Sequence, residues 1–86
     1  MPEISRFYGI VIGMFYDDHP PPHFHVRCGE FEAAIRIEGL AVTEGKLPSR
    51  AQRMVFEWAA LHQKELLVNW RALKTDRPLK KIGPLE

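Results

Sequence analysis

Cysteine is almost missing from this sequence: Cys28 is the only one in 86 residues, so no internal disulfide can form and nothing marks a cross-linked secreted scaffold. An excess of one charge is missing too. Twelve Lys and Arg against eleven Asp and Glu leave a formal charge of +1, so any nucleic-acid contact must come from a local patch. Nor is there a long hydrophobic run. The longest, Gly9 to Tyr16, is too short to span a bilayer, and Met1-Pro2-Glu3 lacks the basic and apolar regions of a signal peptide. These absences predict a soluble, cytoplasmic protein that does not engage a membrane. At 45% apolar and 27% charged residues the composition is globular, with room for one modest core, and residues 1–86 are expected to form a single domain.

What is present reads as α+β. Phe7 to Tyr16 is rich in aromatic and β-branched residues and closes on Asp17-Asp18-His19 and Pro20-Pro21-Pro22, so it is expected to be a strand running into a stiff loop. His23–Cys28 and Phe31–Ile37 alternate in polarity around Gly29-Glu30, a two-residue hairpin turn. That turn pairs Cys28 with Phe31, Arg27 with Glu32, Val26 with Ala33, His25 with Ala34, Phe24 with Ile35 and His23 with Arg36. Phe24, Val26, Cys28, Phe31, Ala33, Ile35 and Ile37 then share the core face, while His23, His25, Arg27, Glu32, Ala34 and Arg36 share the other. Leu40-Ala41-Val42 predicts a short edge strand between Gly39 and Gly45.

Ser49 followed by Gln52 has the form of a capping box and predicts a helix from Arg50 to about Thr75, roughly seven turns without an internal Gly or Pro. Its core face is expected to carry Ala51, Met54, Val55, Trp58, Leu61, Leu66, Ala72 and Leu73. Residues 76–86 read as an extended tail that Ile82 and Leu85 could dock. The expected architecture is thus a small antiparallel β-meander of three to four strands, over about residues 7–47, packed against one long helix over about 50–75.

Two polar clusters are candidates for chemistry. His19, His23 and His25 fall within seven residues, and His23 and His25, two apart on a strand, project from one face. With Arg27 and Arg36 they form a surface suited to binding, whether of a protein, an anion or nucleic acid; the plainer account is a solvated strand face. A metal would need a third ligand, His19 or Asp18, to fold back across the prolines. No complete ligand spacing supports one, so no metal or other cofactor is assigned. In the second cluster, His62, Glu65 and Asn69 fall on the helix face marked as buried, where they form either an internal network or the wall of a site. A His beside a carboxylate is also how a general base is oriented, so His23, His25, His62 and Glu65 are the catalytic candidates. Parity sets the two clusters on opposite sides of the sheet. Phe56, Ala60, Leu67 and Trp70 form an apolar side stripe that either the tail or a partner, including a second copy of the chain, must cover.

The strings Pro2-Glu3-Ile4-Ser5, Phe7-Tyr8-Gly9-Ile10, Asp18-His19-Pro20-Pro21-Pro22-His23-Phe24-His25, Gly45-Lys46-Leu47-Pro48-Ser49-Arg50 and Glu57-Trp58-Ala59-Ala60-Leu61-His62-Gln63-Lys64-Glu65-Leu66, with Asn69-Trp70, together resemble the small bacterial family of domain of unknown function 4160. The three prolines Pro20–Pro22 are a departure, since two are common in that family. The resemblance implies a stand-alone cytosolic protein, often encoded beside another small protein in a toxin–antitoxin-like arrangement, and it implies no established activity. The expected function is a small interaction module of such a pair, binding a small protein partner, itself as a homodimer, or nucleic acid. The alternative is a small histidine-dependent hydrolase or nuclease with Arg36 stabilising charge.

Overall fold

The computed structural model describes residues 1–86 and is α+β. Five strands, β1 (Glu3–Phe7), β2 (Ile10–Gly13), β3 (His23–Cys28), β4 (Phe31–Arg36) and β5 (Ala41–Gly45), precede two helices, α1 (Ser49–Leu61) and α2 (Gln63–Lys74). The strands pair antiparallel in chain order as one meander. That is more than the three or four expected over about residues 7–47, because Glu3–Phe7 forms a strand of its own ahead of the one read from Phe7 to Tyr16, which is itself shortened to Ile10–Gly13. Tyr8 (φ 48°) and Gly9 (φ 79°) both take left-handed conformations, as in a type I′ turn, and Phe7 pairs with Ile10 across them. Tyrosine is a strand former, so its side chain conceals the turn.

The β3–β4 hairpin has the anticipated register at all six pairs. Positive φ at Gly29 alone of the two turn residues is the type II′ pattern. Phe24, Val26, Ala33, Ile35 and Ile37 are buried and Cys28 is half-buried, as expected, but Phe31 at the hairpin tip is exposed. Ala34 is buried although it lies on the polar face. The β4–β5 register shifts between Ala34 and Ile35, opposite Thr43, and Gly45 ends β5; a Cβ there would sit 2.1 Å from the Glu32 carbonyl oxygen, so only glycine fits.

Ile10, Ile12, Phe24, Val26 and Ile35 join Ala51, Val55, Trp58, Leu66 and Leu73 in one core. Trp58 is fully buried, with its ring 5.5 Å from Phe7 and 6.1 Å from Phe24, and its indole N–H donates to the Gly83 carbonyl at 2.7 Å. The tail is held along its length. Asn69 accepts from the Lys80 N–H and donates to the Lys80 carbonyl, both at 2.9 Å, and the Ile82 N–H donates to Ile4 O at 2.8 Å.

The helical region departs from expectation in three ways. First, Pro48, already at φ −56°, precedes the helix; Ser49 is its first residue and makes no capping bond, while the Gln52 N–H reaches the Pro48 carbonyl at 2.9 Å. Second, the single long helix is broken at His62 (φ −124°, ψ 21°). A straight helix over residues 49–74 would be roughly 39 Å long, more than the 34 Å longest extent of the folded chain. Side-chain contacts hold the break: Gln63 donates to the Ile37 carbonyl at 2.9 Å and the His62 ring lies 5.4 Å from Trp58.

Third, the break turns a different face inward. In α2 the buried residues are Leu66, Asn69, Trp70 and Leu73, at helical i, i+3, i+4, i+7 spacing, so Trp70 is core rather than part of an uncovered stripe. Phe56 and Leu67 pack against the core as well, and Ala60 alone of that stripe is exposed. Leu61, at the break, is 72% exposed instead of buried. No helix is long and apolar enough to cross a membrane.

Candidate functional site

The strand alternation that buries Phe24 and Val26 sends His23 and His25 to the opposite side of β3. The loop after β2 then doubles back across the prolines and brings Asp18 to them. Asp18 Oδ2 lies 2.9 Å from His25 Nε2 and 3.4 Å from His23 Nε2, and it also accepts a long 3.4 Å bond from the Phe15 N–H. The three side chains are half-buried, with 17–23% of each exposed. Of the two residues that could supply a third ligand, Asp18 converges and His19 does not; His19 is exposed.

The ring contacts hold this arrangement. His23 and His25 meet edge to face at 5.1 Å, and Phe15 closes on His25 at 4.7 Å. His23 Nδ1 lies 2.8 Å from the Pro21 carbonyl oxygen. A carbonyl only accepts, so Nδ1 carries the hydrogen and the neutral ring presents the Nε2 lone pair towards Asp18. From α2, Trp70 places its ring 5.3 Å from His23 and Lys74 Nζ 4.6 Å over its own face, while Lys74 also donates to the Asp18 backbone carbonyl. Sequence reasoning missed Lys74, because only the fold brings the C-terminal turn of α2 against a loop more than fifty residues earlier.

Two shallow depressions flank the cluster. The larger, about 410 Å³, is lined by Phe15, His25, Arg27, Glu32 and Glu44 among others. The smaller, about 240 Å³, is lined by His19, Pro20, Pro21, His23, Arg36 and Glu44 among others. Arg36 stands opposite His23, but its Nε donates to the Glu38 carbonyl at 2.7 Å, which directs it along its own strand. Charges on this face are therefore mixed, with Arg27 and Arg36 alternating with Glu32 and Glu44.

Of the second cluster, Asn69 lies buried as expected, but His62 and Glu65 do not. Asn69 is buried and fully used in binding the tail backbone. His62 and Glu65 do pair, Nδ1 to Oε1 at 2.6 Å, but Glu65 is 52% exposed, so the pair sits on the surface beside Trp58 and not inside the core. The break at His62 is the reason, since it rotates both residues away from the sheet. His62 and Glu65 remain apart from His23 and His25; among the helical candidates only Trp70 reaches the histidine cluster.

No curated protein and no solved structure matches this chain. Residues 9–71, which span the loop of Asp18, the histidine strand and α2 as far as Trp70 and Arg71, match the family model described as Domain of unknown function (DUF4160), and because that span is well over half of the chain, the protein belongs to this family.

Proposed function

We propose that this protein is a small interaction module whose recognition surface is the polar face of the sheet, acting as one member of a toxin–antitoxin-like pair and engaging a protein partner there. The observation that carries the reading is that both helices pack against the Phe24 side. The face with His25, Arg27, Glu32 and Glu44 is left open beside the exposed aromatic Phe15. Aromatic anchors beside a shallow polar depression are the usual composition of a protein-binding patch. The alternation of Arg27 and Arg36 with Glu32 and Glu44 suits a protein surface better than the uniformly negative backbone of a nucleic acid. Pairing with a neighbouring gene product rests on the family resemblance.

The test is co-expression with the product of the adjacent gene, followed by affinity measurement on the purified pair. Phe15→Ala with Arg27→Glu is expected to weaken the complex by at least tenfold at unchanged melting temperature. Unaltered affinity, or tight binding to nucleic acid in place of the protein, overturns the assignment. The double change His23→Ala with His25→Ala is likewise expected to weaken binding.

A second reading, a small histidine-dependent hydrolase or nuclease, is favoured by one contact. The Asp18 carboxylate bonded to His25 at 2.9 Å is the orientation a general base requires. Phosphodiester cleavage by the purified protein, lost on His25→Ala, would favour it over the interaction module.

A further inference from the structure

Within the chain the Asp18 carboxylate is bonded by His25 at 2.9 Å and, over a longer 3.4 Å, by the Phe15 N–H. It is largely shielded from water, yet no Lys or Arg pairs with it; its only ion-pair neighbours are the two imidazoles. Lys74, which reaches this loop, is spent on the Asp18 backbone carbonyl and the Trp70 ring. His23 is set up as a ligand. Its Nδ1 lies 2.8 Å from Pro21 O, a contact that keeps the Nδ1 hydrogen in place and leaves Nε2, 3.4 Å from the carboxylate oxygen, as the ring atom a metal would take.

The spacing fits a metal ion. Two ligands at about 2.0–2.1 Å from a tetrahedral metal lie roughly 3.4 Å apart; Asp18 and His23 stand at 3.4 Å, the 2.9 Å hydrogen bond between Asp18 and His25 would open slightly as the ion takes the place of its proton, and all three ligand atoms lie within 4.8 Å of one another. The bond from His23 to a backbone carbonyl is also the support that a metal-bound imidazole usually has through its second nitrogen. From these observations we propose that Asp18 Oδ2, His23 Nε2 and His25 Nε2 form a binding site for one borderline divalent transition-metal ion of the zinc class. Two imidazoles with a single carboxylate disfavour magnesium and calcium, which take oxygen ligands. Three protein ligands leave a position for water or a small anionic ligand. The site does not rest on the partner reading, and a partner could bind with or without the ion.

The full chain, stripped with a chelator, is titrated with Zn²⁺ by calorimetry and with Co²⁺ by visible absorption. The expected result is one ion per chain, a tetrahedral Co²⁺ spectrum, and a melting temperature raised by roughly 10–20 °C when Zn²⁺ is a hundredfold above its Kd. His25→Ala and His23→Ala are each expected to weaken Zn²⁺ binding at least a hundredfold and Asp18→Asn at least tenfold, while His19→Ala and His62→Ala stay within twofold. Circular dichroism checks the fold of each variant. Should His23→Ala unfold through loss of its Trp70 contact, His25→Ala and Asp18→Asn decide the matter, since neither side chain touches α2. No binding, binding that survives His25→Ala, binding lost with His19 or His62, or Mg²⁺ bound as tightly as Zn²⁺ would each overturn the proposal.

Discussion

Replacing Asn69 by alanine removes the two hydrogen bonds that fasten the C-terminal tail to α2. Asn69 is 1% exposed, and its amide both donates to Lys80 O and accepts from Lys80 N–H. Each bond contributes about 1 kcal/mol net. The Lys80 backbone lies at the surface, where water can replace the lost partner, so the full penalty of a buried unpaired group does not apply. The expected cost is about 2 kcal/mol, which for a domain of this size corresponds to a fall in melting temperature of roughly 8–16 °C. The loss should also be local before it is global: the tail buries Ile82 and receives the Trp58 indole N–H at Gly83, and freeing it exposes Lys80 and Lys81 to trypsin. Urea melts and a trypsin time course measure both effects. A cost under 0.5 kcal/mol, with cleavage at Lys80 and Lys81 no faster than in the parent protein, would refute the idea that Asn69 straps the tail.

Trp58→Ala and Trp70→Ala should both destabilise, by about 3–5 and about 2–4 kcal/mol respectively, with no change of mass in light scattering; a shifted oligomeric state for Trp70→Ala would restore it to an interface. Ser49→Ala should alter stability by less than about 0.5 kcal/mol, because the hydroxyl makes no capping bond; a loss near 1 kcal/mol in denaturant melts would mean the side chain does cap the helix. His62→Ala should cost under about 1 kcal/mol, as its partner Glu65 is half in solvent, and a loss above 2 kcal/mol in the same melts would place the pair in the core.

Local rules made much of this protein legible in its sequence. The β3–β4 hairpin, its register and the separation of Phe24 and Val26 from His23 and His25 follow from a two-residue turn and the period of a strand, which depend only on neighbouring residues. An edge strand near Leu40–Val42 is announced by the flanking glycines, although it runs over Ala41–Gly45 with Leu40 (φ 48°) in the turn before it, and the bulk of the helical span follows from the absence of breakers. Three decisions belong to the tertiary structure. The turn at Tyr8-Gly9 is set by the need of β1 and β2 to pair, against the local preference of tyrosine. The break at His62 has no Gly or Pro to announce it; it is held by partners that Gln63 and His62 find on Ile37 and Trp58. By rotating α2 it moves Trp70 into the core and Glu65 out. The third is the meeting of Asp18 with His23 and His25: sequence adjacency put the residues in one neighbourhood, but whether Asp18 or His19 turned inward depended on the path of the loop and on contacts from α2, and those exist only once the chain has folded.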